Sequence, residues 1–247
     1  MINSEFYNAF AGQYDSMIDF EKALPRRKTL ISGLIEDQFK TAADLGCGSG
    51  IDSISLANLG LKVVAYDPSE EMLNLARMKA IESGTNNIKF SGYSIHKIPE
   101  EYFEKFDFIT SLGNTLSNIS NEEITPSVKN IFNLAKSGAR IVVQVVNYER
   151  LIQQEERILN ITNTEDLTFV RFYDYFDEFV NFNILSFNTK NPLQRTLITT
   201  KVYNHKALFL KSLFQLAGFQ RVEVYGDLNK SPFNEISSKD IVVIAEK

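Results

Sequence analysis

The chain has one cysteine and two histidines among its 247 residues, and these low counts exclude several kinds of protein. A single cysteine cannot form a disulfide within the chain, so we expect a reducing, cytoplasmic environment. Neither histidine lies in a cluster of cysteine, histidine and carboxylate side chains with the spacing of metal ligands. We therefore predict no metal site.

Long apolar runs and clusters of basic residues are also missing. The apolar run at residues 141–146 is far too short to span a bilayer, and residues 1–5 lack the pattern of a signal peptide. The net charge is −5, and no run of lysine or arginine indicates a surface that follows phosphates. We expect a small-molecule substrate, no nucleic-acid partner and no membrane partner. The sequence does not determine the oligomeric state.

The length and the apolar fraction of 44% favour one large domain that spans residues 1–247. Predicted strands and helices alternate, which indicates an α/β fold with a parallel sheet. We predict strands at 41–45, 61–66, 88–91, 106–111, 139–146, 219–225 and 240–245, and the clearest helices at 25–39, 51–57, 69–79, 122–136 and 205–217.

Residues 165–204 depart from this alternation, because they contain β-rich runs separated by turn residues. We interpret them as an antiparallel insertion before the last helix, standing over the carboxyl edge of the sheet. It would act as a lid that shapes a substrate pocket, or as a flap whose aromatic residues only bury area.

The most informative pattern is the run Asp44-Leu45-Gly46-Cys47-Gly48-Ser49-Gly50, which lies between an apolar strand and a helix. Alternate glycines let the backbone turn with positive φ and leave no Cβ to block a ligand. Asp67 follows at the end of the second strand, where an acid can accept hydrogen bonds from both ribose hydroxyls. The pattern therefore predicts a nucleoside-bearing cofactor.

Two alternatives to this cofactor class fit the pattern poorly. A dinucleotide fingerprint needs a glycine where this chain has Ile51, so a nicotinamide oxidoreductase is disfavoured. No Gly-Lys-Ser/Thr follows the glycines, which excludes a phosphate-binding P-loop.

Asp44, the alternating glycines and Asp67-Pro68-Ser69 together resemble the first motifs of class I S-adenosylmethionine-dependent methyltransferases. The resemblance implies S-adenosyl-L-methionine as cofactor. It also implies a Rossmann-like sheet of seven strands with helices on both faces, the last two strands forming an antiparallel hairpin at the edge. The residues predicted to bind the cofactor are Asp44, Gly46, Cys47, Gly48, Asp67, Pro68, Met72, Ser94 and Leu112.

Two longer runs, residues 47–54 and Leu112-Gly113-Asn114-Thr115, resemble the glycine N-methyltransferase branch of that family. The branch implies that its asparagine, here Asn114, and an amino-terminal tyrosine, here Tyr14, line the acceptor pocket. Tyr173 of the insertion and His205 complete the predicted substrate residues; His205 would be a general base or a helix cap.

Two departures from the branch bear on the substrate. Val146 stands where the branch has an arginine that pairs with the substrate carboxylate, and Arg171 or Arg195 of the insertion would have to replace it. Tyr93 and Ser94 stand where the class often has an acid for the adenine amine, so backbone and a hydroxyl would hold the base instead.

The sequence as a whole predicts a methyltransferase that moves a methyl group to a small molecule, with an amine nitrogen favoured over a hydroxyl. We name no catalytic residue, because methyl transfer from a sulfonium needs mainly positioning and desolvation. The alternative is a protein that binds S-adenosylmethionine without catalysis, in a regulatory role.

Overall fold

A computed structural model of the chain describes residues 5–8, 11 and 19–247, and within them the strands form two separate sheets. The helices are α1 (Phe20–Ser32), α2 (Ile51–Ala57), α3 (Glu70–Glu82), α4 (Ile124–Leu134), α5 (Tyr148–Gln153) and α6 (Ala207–Ala217). The strands are β1 (Thr41–Leu45), β2 (Lys62–Tyr66), β3 (Ile88–Ser91), β4 (Phe106–Ser111), β5 (Ala135–Val146), β6 (Ile158–Asn163), β7 (Leu167–Tyr175), β8 (Val180–Asn188), β9 (Arg195–Val202), β10 (Arg221–Tyr225) and β11 (Asp240–Glu246).

The larger sheet has seven strands in the order β10-β11-β5-β4-β1-β2-β3. Strands β1 to β5 pair with their neighbours in parallel, whereas β11 pairs antiparallel with both β5 and β10. This arrangement confirms the predicted sheet and its antiparallel edge hairpin. The order reverses between β1 and β4, and ligands bind at such a reversal, beyond the carboxyl ends of the strands.

Both faces of this sheet are covered by helices, because side chains alternate along each strand. Ala43 and Leu45 of β1 pack in a buried cluster with α4 and α6. Ala42, the residue before Ala43, packs on the other face in a cluster with α1 and α2. The strands of such a doubly covered sheet are apolar on both faces, which is why residues 41–45 were predicted from a short apolar run.

The smaller sheet is the insertion, and it is larger than the sequence predicted. Its order is β6-β7-β8-β9, all antiparallel, so it begins at Ile158 and not at residue 165. The edge strand β6 escaped prediction because its side chains are mostly exposed, which leaves no alternation of apolar and polar residues. One face of the insertion is anchored to the amino-terminal segment, where Phe6 packs against Phe169 and Ile184.

Three predicted boundaries were wrong. Helix α1 begins at Phe20 and ends at Ser32, so Pro25 lies inside it and does not start it. Strand β5 starts at Ala135 and not at residue 139, so it includes residues that were predicted to end the preceding helix. Its pairing with β4 has a register irregularity between Phe106 and Phe108, which takes up the extra residues. The last helix starts at Ala207, which leaves His205 outside it, while Gly218 ends it with a φ of 112° as predicted.

Candidate active site

The glycine loop between β1 and α2 has the backbone conformation that its sequence requires. Gly46, Gly48 and Gly50 have φ values of 76°, 53° and 89°, a region that side chains with a Cβ rarely adopt. The N–H groups of Gly46 and Cys47 both donate to the carbonyl of Tyr66, at 2.8 and 3.0 Å. The loop is therefore held against the end of β2.

A close approach also explains the first glycine. A Cβ on Gly46 would lie 2.2 Å from the side chain of Thr115, which follows β4. The Thr115 hydroxyl donates to the carbonyls of Gly46 and Leu112, at 3.3 and 3.0 Å. The glycine loop and the segment after β4 thus touch directly, at the reversal of strand order.

Asp67 lies at the end of β2 beside the loop, and the fold holds both of its carboxylate oxygens. Oδ2 accepts the N–H of Gly48 at 2.9 Å, and Oδ1 accepts the N–H of Ser69 at 2.9 Å. Each oxygen keeps a further lone pair for a ligand hydroxyl. Burial raises the pKa of this carboxyl to about 6, while the two N–H groups act in the opposite direction.

A cavity of about 510 Å³ opens in front of the glycine loop and Asp67, within the usual range for small-molecule sites. Of the nine residues predicted to bind a cofactor, eight line it: Gly46, Cys47, Gly48, Asp67, Pro68, Met72, Ser94 and Leu112. Their role as cofactor ligands stays a prediction, but the fold brings them together on one surface.

The ninth residue, Asp44, lies beneath the loop and does not line the cavity. Its carboxylate accepts hydrogen bonds from Ser53 at 2.6 Å and from Thr110 at 3.2 Å. These two bonds join β1 to α2 and β4, so the geometry gives Asp44 a supporting position. Burial raises the pKa of Asp44, and the nearby Asp52 carboxylate adds to that effect.

An ion pair that sequence reasoning missed lies in the wall of the cavity. Arg27 of α1 places its Nε 3.1 Å from Oδ1 of Asp52, and both side chains line the cavity. Asp52 Oδ1 is buried yet makes no hydrogen bond. The pair thus presents a carboxylate that attracts a ligand ammonium, next to a guanidinium that attracts a ligand carboxylate.

The other end of the cavity is formed by the residues after β3 and β4. Ser94, Ile95, His96 and Lys97 lie in and before a 3₁₀ turn, and Ile119 and Glu123 lie before α4. His96 Nε2 is 3.7 Å from Oε1 of Glu123. No pattern near Glu123 pointed to this position, because its partners come from a segment 27 residues earlier in the chain.

Asn114, predicted to line the acceptor pocket, uses its side chain within the fold. Its Oδ1 accepts the N–H of Val146 at 2.8 Å, and its Nδ2 donates to the hydroxyl of Tyr148 at 2.8 Å. Asn114 has a φ of 73°, so the residue turns the chain as well. It connects the segment after β4 to the start of α5 and is absent from the cavity lining.

Tyr173 and His205 are likewise buried outside the lining. The ring of Tyr173 meets that of Tyr148 edge to face at a centroid distance of 5.5 Å, which seats the insertion against α5. His205 Nε2 lies 2.9 Å from the carbonyl of Ile119, and burial lowers the pKa of the imidazole. Tyr14 lies outside the described residues.

The amino-terminal segment supplies two contacts to the site. Tyr7 lines the cavity, and its hydroxyl lies 3.5 Å from Oδ1 of Asn118, another lining residue. Ser69, next to Asp67, donates from its hydroxyl to Oδ1 of Asn8 at 2.6 Å. The cavity lining therefore also contains Tyr7 and Asn118, neither of which was predicted.

The described part of the chain contains no group of three or more side chains of the metal-binding types arranged to hold an ion. Among the helices described, none has both the length and the apolar character needed to cross a membrane.

Comparison with known proteins gives a family match over part of the chain. Residues 42–138, which contain the glycine loop, Asp67, most of β1 and all of β2 to β4, match the family described as "Methyltransferase domain". This segment carries a methyltransferase domain. The fold of this domain and the motifs of the cavity are those of the S-adenosylmethionine-dependent methyltransferases, resembling the glycine N-methyltransferase branch.

Two curated relatives and one solved structure illustrate the range of similarity. The ubiquinone biosynthesis O-methyltransferase of Xanthomonas axonopodis pv. citri is 28% identical over 123 residues, 50% of each chain. The glycine/sarcosine N-methyltransferase of Aphanothece halophytica is 21% identical over 92% of this chain and 84% of its own. An S-adenosylmethionine-dependent methyltransferase from Clostridium acetobutylicum superposes with a TM-score of 0.78 at 18% identity, covering 97% and 98% of the two chains, and it shows the fold.

The chain spans about half the length of the first curated relatives that it matches. Their matched segments include both O- and N-methyltransferases.

Proposed function

We propose that this protein transfers a methyl group from S-adenosyl-L-methionine to a small molecule, with an amine nitrogen as the favoured acceptor. The single observation that carries the proposal is the cavity in which Asp67, the glycine loop and the Arg27–Asp52 pair face one ligand volume. Asp67 would meet the ribose of that cofactor, the glycine loop its sulfonium region, and the Arg27–Asp52 pair its amino-acid end.

Each part of the cofactor has chemical partners in the cavity. The ribose hydroxyls would donate to the free lone pairs of Asp67, whose carboxylate form such bonds favour. The amino-acid end would place its ammonium at the buried carboxylate of Asp52 and its carboxylate at Arg27. Asp52 Oδ1 has the Arg27 ion pair but no hydrogen bond of good geometry among the described residues, so it can accept one from a ligand ammonium.

When bound, the cofactor supplies an activated methyl group on a sulfonium, and the protein's part is positioning. Gly46 and Gly48 add no side chain to the approach to the sulfonium, and Cys47 adds only a small one. Holding donor and acceptor in line supplies up to roughly 7–11 kcal/mol of the barrier. An amine with a free lone pair needs no strong base, which agrees with His205 being engaged with the Ile119 carbonyl.

An amine acceptor is favoured over a hydroxyl for two reasons. Relatives that align over most of the chain include a glycine/sarcosine N-methyltransferase. In addition, the side chains on the acceptor side that the structure describes, Tyr7 and Asn118, are weak bases that would not deprotonate a hydroxyl. The arginine of the glycine-methylating branch is replaced by Val146, so we propose an amine other than glycine itself.

The substrate positions predicted from the sequence take supporting places in this proposal. Asn114 and Tyr173 hold Tyr148, and through it they seat the insertion on the larger sheet. We propose that the insertion is a lid over a single domain, because the face that carries Phe169 and Tyr173 packs on the segments that border the cavity.

The test is incubation of the protein with methyl-labelled S-adenosylmethionine and two panels of metabolites, primary and secondary amines in one and hydroxyl compounds in the other. We expect labelled product and S-adenosylhomocysteine with the amines. Product only with hydroxyl compounds would refute the choice of acceptor. Tight cofactor binding with no S-adenosylhomocysteine from either panel would instead favour a regulatory protein that binds the cofactor without catalysis.

A further inference from the structure

The segment after β3 lacks the acid that often meets the adenine amine in this family, but a carboxylate from the turn before α4 lines the cavity beside that segment. We propose that Glu123, at the start of α4, accepts a hydrogen bond from the exocyclic amine of adenine and so makes the site selective for that base. The assignment rests on the proposed function, because it concerns the cofactor of the same cavity.

The cavity between Asp67 and Glu123 has the walls of a base-binding slot. Pro68, Ile95, Leu112 and Ile119 line it with apolar surface. A purine attached to a ribose at Asp67 would stack between such side chains, which leaves its polar edge at the end of the slot. That end is where Glu123 and His96 lie.

Glu123 lies at the start of α4, and the same helix fixes the turn that carries His96. Its N–H donates to the carbonyl of Ser120 at 3.1 Å, which sets the turn before α4. From within α4, the buried Nδ2 of Asn130 donates to the carbonyls of Ile95 and Ile98, at 2.7 and 3.1 Å. The turn that carries His96 therefore has a fixed position relative to Glu123.

Two basic side chains lie at the same end of the cavity as Glu123. His96 Nε2 lies 3.7 Å from Oε1, and Lys97 also lines the cavity at this end. A side chain that is about half exposed keeps its second oxygen free for a ligand.

The chemistry of the base edge makes the assignment selective. At position 6, adenine presents an amine that donates, whereas hypoxanthine presents a carbonyl oxygen that only accepts and carries its donor on the neighbouring N1. A carboxylate placed to meet the group at position 6 accepts from adenine and repels the oxygen of hypoxanthine. A glutamine at the same position can turn its amide to serve either base.

The experiment compares the wild-type protein, Glu123→Gln and Glu122→Gln by calorimetric titration with S-adenosylhomocysteine and S-inosylhomocysteine. Glu122 is the matched control, because it is the exposed neighbouring carboxylate and does not line the cavity. We expect the wild type and Glu122→Gln to prefer the adenine compound at least about tenfold, and Glu123→Gln to bind the two within about threefold.

Two results would overturn the assignment while leaving the proposed function intact. These are a wild type that binds both compounds equally, and a Glu123→Gln variant that keeps the full preference. A wild type that binds neither compound would instead overturn the proposed function, on which the assignment rests. Thermal unfolding of each variant checks that the substitution leaves the fold unchanged.

Discussion

Replacing Asp67 by alanine should weaken binding of S-adenosylhomocysteine at least tenfold. Both carboxylate oxygens are oriented by the N–H groups of Gly48 and Ser69, and each keeps a lone pair that faces the cavity. One hydrogen bond to a charged acceptor is worth about 1.5–3 kcal/mol. Since about 1.4 kcal/mol corresponds to a tenfold change in affinity, losing one such bond predicts a loss of about 10- to 150-fold.

The variant should still fold, because two effects on stability oppose each other. Alanine leaves the N–H groups of Gly48 and Ser69 without their acceptor, which costs about 1–3 kcal/mol for each buried group. It also removes a carboxylate whose burial is unfavourable, as the raised pKa of Asp67 indicates. Thermal unfolding should show a cooperative transition for the variant as for the wild type.

The assay is calorimetric titration of S-adenosylhomocysteine into the wild type, Asp67→Ala and Glu71→Ala. Glu71 is an exposed carboxylate in the first turn of α3, four residues along the chain, and is absent from the cavity lining. We expect its variant to bind as the wild type does. An Asp67→Ala variant that folds and binds with unchanged affinity would refute the assignment of the ribose to this carboxylate.

Three further predictions follow from the same geometry. Burial raises the pKa of Asp67 to about 6, so affinity for S-adenosylhomocysteine should be constant above about pH 7 and fall with acid below pH 6. Asp67→Asn should lose the part of this fall that Asp67 contributes, and an unchanged pH profile in a titration series would contradict this. Gly113→Ala should cost about 1–2 kcal/mol for its φ of 67° alone, and Gly46→Ala should cost more, since its Cβ would also meet Thr115. Urea unfolding that ranks these two variants in reverse would contradict this. Asn114→Ala should lower the free energy of unfolding by about 1–3 kcal/mol, because it leaves the part-buried N–H of Val146 without its acceptor. Equal stability in urea would show that the bond does not matter.

The core of the fold and the cofactor end of the site could be predicted because their signals are local. These signals are the glycines at alternate positions, the acid one strand later and the short apolar runs. Each of them can be recognised in a short stretch of sequence. The family comparisons confirm the fold and the class of domain that these patterns predicted.

The rest of the site depends on contacts between distant segments, which no local pattern reveals. Arg27 pairs with Asp52 only because α1 packs across α2, and Glu123 approaches His96 only because α4 follows β4 to the same edge. No local pattern indicates that both ends of the Asn114 amide form hydrogen bonds within the fold.

A crystal structure with S-adenosylhomocysteine bound would test the central claim most directly. The account predicts that the ligand fills the cavity, with both ribose hydroxyls at Asp67, its amino-acid end between Arg27 and Asp52 and its base toward Glu123. A ligand bound elsewhere, or one with its ribose away from Asp67, would contradict it.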